Sequence, residues 1–112
     1  MTKFTTKTAT LIDAEHGIIR SVQVTSIEEI QALVGGYFDC VSMDNDETLY
    51  VNDEGLINGT KFGFFINGRQ LAGNGLILRT TKSGRSASTR LPPNALLMAY
   101  RIKFYRLAEE AA

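Results

Sequence analysis

The sequence predicts an α+β fold: a mainly antiparallel twisted sheet, a short helix over 26–34 and a C-terminal helix over about 95–108. Three observations carry that expectation. Short runs rich in β-branched and aromatic residues alternate with Gly, Asn and Asp clusters, as strands joined by tight turns do. Three Asn-Gly pairs, Asn58-Gly59, Asn67-Gly68 and Asn74-Gly75, fall within 55–80, and Asn-Gly tolerates the positive φ that type I′ turns need at both central positions. Two other segments place apolar residues at helical spacing. Helices mixed with strands in this way suit a sheet with both helices laid on one face. At 112 residues the chain is read as a single domain, 1–112, long enough to build a core without staples.

Taken in order, Lys7 to Asp13 alternates and is rich in Thr, Leu and Ile, so it predicts a strand. Ala14 to Gly17 is a turn, and Ile18 to Val24 returns as a second strand, with Ile18, Arg20, Val22 and Val24 on one side. Arg20 is the odd member of that row and leaves the register open. Ser26 is a good N-cap, Glu29 completes a capping box, and Ile27, Ile30, Leu33 and Val34 form an apolar stripe. Gly35 is placed to end the helix in the left-handed conformation. Tyr37 to Met43 and Thr48 to Val51 read as strands about an acidic turn, Asp44 to Glu47. A glycine-rich meander follows, with apolar runs at Phe62 to Ile66 and Leu76 to Leu78. Residues 81–90 are small or basic and read as a mobile loop or the tip of a long hairpin. In the last segment, 91–112, Asn94 can cap a helix in which Leu96, Leu97, Tyr100, Phe104 and Leu107 share a face. A strand competes there, because Met98, Tyr100, Ile102 and Phe104 also alternate.

Net charge is zero, but the charges are segregated. Residues 21–60 hold eight acids and no Lys or Arg, and residues 61–108 hold nine bases and no Asp or Glu. Either the halves pair, within the fold or between copies, or the basic half meets an anionic ligand. One cysteine, Cys40, rules out an internal disulfide and fits a reducing compartment. With no apolar leader and no run of membrane-spanning length, we expect a cytoplasmic protein.

No constellation for catalysis stands out. His16 has no triad spacing and sits beside a turn glycine, and Cys40, inside an apolar run, reads as a small buried hydrophobe. One His and one Cys do not make a zinc site, and Asp44-Asn45-Asp46-Glu47 lacks the glycine and terminal Glu spacing of a calcium loop. We therefore expect no metal and no cofactor. The best binding candidate is the basic stretch 79–90. Arg79, Lys82, Arg85 and Arg90 flank Ser83, Ser86, Ser88 and Thr89, with Gly84 for backbone access. Charge with hydroxyl and amide donors is what phosphate needs; a solvated flexible loop is the competing account. Asn74 and Gly75 join the candidate set, because Gly73-Asn74-Gly75 brings backbone close to a strand or a ligand.

Leu33-Val34-Gly35-Gly36-Tyr37, Leu49 to Gly55, Ile57-Asn58-Gly59 and Leu71-Ala72-Gly73-Asn74-Gly75 together resemble a family of small phage and bacterial domains, domain of unknown function 3846. The likeness covers residues 9–78 and leaves out 79–112. It implies a compact α+β domain from a mobile element and transfers no catalytic residue.

With no catalytic constellation the expected function is that of a non-enzymatic binding protein, and the mobile-element resemblance implies that it interferes with a host process by sequestering a small anionic, nucleotide-like signal. The alternatives are a module that binds and blocks a host protein, and a nucleic-acid-binding accessory protein, which the acidic half disfavours. Complementary charge and the aromatics Tyr100, Phe104 and Tyr105 predict a homo-oligomer, a dimer by default.

Overall fold

The computed structural model describes residues 5–52 and 60–107. The first two runs form the expected hairpin. Strands β1 (Lys7–Asp13) and β2 (Ile18–Val24) pair antiparallel from Lys7↔Val24 to Asp13↔Ile18. Arg20 does lie on the side of Val22 and Val24. Asp13 of β1 shares that side, with Oδ2 3.8 Å from the Arg20 Nε, which explains a cation in an apolar row.

Helix α1 (Ile27–Val34) starts and stops on the predicted signals. Ser26 Oγ accepts from the Glu29 N–H at 3.2 Å, and Gly35 closes the helix at φ 93°. The capping box differs in one respect: the Glu29 carboxylate accepts from the Thr25 hydroxyl and backbone N–H instead of reaching the Ser26 amide. Ile30 and Val34 are buried, and Ile27 is half exposed.

The remaining strands are β3 (Phe38–Ser42), β4 (Glu47–Asn52), β5 (Phe62–Ile66), β6 (Arg69–Ala72), β7 (Gly75–Thr80), β8 (Ser86–Ala87) and β9 (Lys103–Arg106); the second helix is α2 (Pro93–Ala99). They build two antiparallel sheets. The larger runs β2-β1-β7-β4-β3, with β8 added to β7, and the smaller runs β6-β5-β9. Period-2 alternation splits the larger sheet's apolar residues into two cores. Ala9, Leu11, Tyr50, Leu76 and Leu78 face α1. Ile12, Leu49, Val51 and Ile77 face the smaller sheet and α2 through Phe64, Ile66, Leu96 and Ile102. The two helices thus lie on opposite faces, not on one as expected, because the smaller sheet and α2 together cover the second face.

The C-terminal helix is shorter than the 95–108 expected. It begins at Pro93, with Pro92 rather than Asn94 at the N-cap position, and ends at Ala99. Arg101 then turns at φ 51°, and Lys103–Arg106 pairs with β5. Only Leu96 of the helix is buried, so a longer helix would have little to pack against. The strand instead gives β5 a second partner and sends Ile102 into the core, which is how the competing alternation is realised. Cys40 is exposed, not buried, because β3 is an edge strand.

Candidate functional site

The basic stretch takes the second of its two expected forms, the tip of a long hairpin. Strand β7 reaches Thr80, turns, and returns through β8, with Arg79 opposite Ala87 and Thr80 opposite Ser86. At the tip the Gly84 N–H donates to the Thr81 carbonyl at 2.9 Å, the Thr81 N–H donates to the Arg85 carbonyl at 2.8 Å, and Gly84 sits at φ 84°. This is a three-residue loop, Lys82-Ser83-Gly84, whose last position takes a left-handed conformation, which favours glycine. The Thr81 hydroxyl lies 3.0 Å from the Ser83 hydroxyl and accepts the Arg85 N–H. The tip thus uses most of its own backbone donors.

The hairpin root is held by Glu47, 2% exposed. Its carboxylate accepts from the Thr89 hydroxyl and from the Arg90 N–H at 3.0 Å. The Thr89 N–H donates to the Thr8 carbonyl, the Thr8 N–H to the Ser88 hydroxyl, and the Thr10 hydroxyl to the Leu91 carbonyl at 2.6 Å. Sequence reasoning placed Glu47 in a solvated turn and missed this role; its only signal was a carboxylate at the head of an apolar strand.

Arg79, Lys82, Arg85 and Arg90 are brought together on this one hairpin. Arg79 is the cross-strand partner of Glu47 and donates through Nε to the Ser88 carbonyl at 3.3 Å. Lys82, Arg85 and Arg90 are exposed. Among the described residues the ion pairs are those of Asp13 with His16 and Arg20, so none of the four cations is neutralised by a carboxylate side chain there.

Asn74 and Gly75 are not part of that group. They stand at the opposite end of β7, roughly 16 Å away at the rise of a strand. Both carry structural duties. Asn74 Oδ1 accepts from the Ala14 and Glu15 N–H groups at 2.8 and 3.2 Å, and its Nδ2 donates to the Leu33 carbonyl at 3.3 Å. A Cβ on Gly75 would lie 2.7 Å from Phe64 Cζ and 3.0 Å from Leu49 Cδ1, so the glycine lets the Phe64 ring press on the sheet. Asn52 Nδ2 likewise donates to the Val34 carbonyl at 3.2 Å. The segments Leu33–Gly36, Asn52 and Gly73–Asn74 therefore meet at the end of α1, where two amide side chains satisfy carbonyls that the helix leaves open. A polar cleft of about 160 Å³, lined in part by Glu15, Thr60 and Asn74, opens beside them. Of the three Asn-Gly pairs, Asn67-Gly68 forms the expected hairpin turn, with φ of 48° and 85°. Asn74-Gly75 leads into β7 instead, and Asn58-Gly59 lies outside the described residues.

A family model described as Domain of unknown function (DUF3846) matches residues 7–103. The chain belongs to the DUF3846 family. The match extends beyond the 9–78 span of the sequence motifs, so the basic hairpin and α2 lie within the DUF3846 domain. No curated protein and no solved structure matches the chain.

Proposed function

We propose that this DUF3846 protein is a non-enzymatic binding protein that grips a phosphate-bearing ligand, a small nucleotide-like signal, through the hairpin 79–90. One observation supports the reading above the others: four cations sit on a hairpin fixed at its root by a buried carboxylate, and no carboxylate side chain among the described residues neutralises them. A fixed presentation lowers the ordering cost of binding. Arg offers a planar fork that matches phosphate oxygens, whereas Lys acts as a point charge. The mobile-element source implied by the family resemblance would make such a protein a sponge for a host signal.

The test is a thermal-shift and calorimetric screen against nucleotides. The chain should bind one of them and return it chemically intact on heating. Arg85→Ala should weaken binding roughly tenfold, in line with about 1.5–3 kcal/mol for a charge-assisted contact, and more than Lys82→Ala does. The melting temperature should hardly move, because both side chains are exposed. A falling melting temperature with ligand affinity intact would assign these residues to the fold and sink the reading.

The exposure of Lys82 and Arg85 at the tip favours a second reading, a host protein with an acidic face that the hairpin docks against and blocks. In that case affinity purification should recover one dominant host protein, and Arg85→Ala should lose it.

A further inference from the structure

Three buried polar or charged side chains are found among the described residues: Thr10, Asp13 and Glu47. Thr10 and Glu47 are spent on the hairpin root. Asp13, 5% exposed, is spent on the chain's single histidine. Each of its oxygens lies 3.0 Å from His16 Nδ1, and Oδ1 also accepts the His16 N–H at 3.2 Å. An ionised carboxylate can only accept, so Nδ1 carries the ring proton and Nε2 is left for other work. The His16 side chain is 66% exposed and lines an open cleft of about 340 Å³ between the β1–β2 turn and β9. Arg106 lines the same cleft. Its Nη2 donates to the Glu15 carbonyl at 2.7 Å, and its guanidinium lies 5.7 Å over the Phe62 ring, so this cation too is held in place.

We propose that His16 and Arg106 form a binding site for a phosphate group, with Asp13 as the positioning residue that commits the imidazole to presenting Nε2. The guanidinium supplies forked donors suited to two phosphate oxygens. The imidazole suits the third. A neutral ring accepts the proton of a monoanionic phosphate through Nε2, and a protonated ring donates to a dianion, so either state leaves one shared proton. Among the described residues, the charged and titratable groups around the ring are Asp13 behind it, Arg20 from β2, Glu15 beside it and Tyr105 and Arg106 from β9. Among the described residues Glu15, on the cleft, and Asp13, behind the ring, oppose an anion there. The site stands at the opposite end of β1 from the hairpin root, which Thr8 anchors, so the two can be tested separately.

A single histidine makes the experiment direct, because the full chain gives one imidazole signal set in NMR. Inorganic phosphate titrated at fixed pH and ionic strength should shift the His16 ring resonances to saturation, where chloride does not. Arg106→Gln should weaken the binding roughly tenfold, with Arg106→Lys intermediate. Glu15→Gln should tighten it. Asp13→Asn should weaken it and move the ring ¹⁵N shifts away from a single tautomer, while Arg85→Ala leaves the titration unchanged. A linear shift that chloride reproduces, or equal affinity in Arg106→Gln, overturns the proposal. If Arg106→Gln does not fold, an affinity unaltered by Glu15→Gln overturns it as well.

Discussion

Glu47 shows how one residue converts a solvated-looking segment into a fixed one. A carboxylate removed from water is costly unless hydrogen bonds replace its hydration. Here the Thr89 hydroxyl and the Arg90 amide both donate to it, and the Leu91 N–H in turn donates to the Thr89 hydroxyl at 3.0 Å. Replacing Glu47 by Gln leaves one acceptor and adds a donor facing the Thr89 hydroxyl or the Arg90 N–H. We expect Glu47→Gln to lose about 2–3 kcal/mol of stability, measured by urea unfolding, because a charge-assisted bond is lost and a buried donor is left unmet. The hairpin should also become the first segment cut by a protease. A variant as stable and as resistant as the parent would show that Glu47 does not hold the root.

Among the elements, the edge strand β3 carries a consequence of its own. Cys40 lies on it, exposed at residue level, and partial burial of the side chain and then the neighbouring Asp39 charge push its thiol up from the ordinary value. A raised thiol pKa means less thiolate at neutral pH and slower alkylation. Iodoacetamide should therefore modify the folded chain more slowly than the urea-unfolded chain at pH 7.5, with the gap closing as pH rises, and Asp39→Asn should speed the folded reaction. Equal folded and unfolded rates would contradict the shift. Position in the sheet is also what the sequence hid. Strands β1 and β2 and helix α1 were legible to the residue, because their turns and caps are local chemistry: Gly17 and Gly35 at positive φ, and Ser26 at the N-cap. Which strand lies at the edge is decided by long-range pairing, so Cys40 looked interior. The same holds for α2. Good helix formers over 95–108 say nothing of an open flank on β5, and that flank turns Lys103–Arg106 into a strand. At the site, the four cations were legible as a charge run, and of the two neighbours expected for Gly73-Asn74-Gly75, a strand or a ligand, the contacts of Asn74 and Gly75 are with the fold's own Ala14, Glu15, Leu33 and Phe64. The Asp13–His16 pair, three residues apart, has no sequence signal of its own, because only the β1–β2 turn brings the ring onto the carboxylate.

For the molecule as a whole, zero net charge conceals segregated charge, and among the described residues the acidic and basic segments form no ion pair with one another. The acidic turn at Asp44 and Asp46 and the basic hairpin flank the same end of the larger sheet, since Glu47 at the start of β4 pairs with Arg79 near the end of β7. Even so, the ion pairs among the described residues belong to Asp13, not to these groups. The aromatics offer less to a partner than their spacing suggested. The Tyr105 hydroxyl donates to the Leu71 carbonyl at 3.0 Å, and its ring packs 5.4 Å from that of Phe65, while Phe104 packs on the core. Self-association would then rest on charge. A two-fold axis could set each acidic turn against the other copy's hairpin, meeting both charge sets in one closed contact. Such contacts weaken as salt shortens the Debye length, from about 30 Å at 0.01 M to about 8 Å at 0.15 M. Light scattering at micromolar concentration should therefore give a dimer mass in low salt that falls toward the monomer as salt is added. Arg85→Ala should move that transition to lower salt. A monomer mass in low salt would leave the hairpin's cations free for a ligand alone and remove the case for assembly, and a dimer indifferent to salt would place the contact elsewhere, on the exposed Leu97 and Met98 of α2 first.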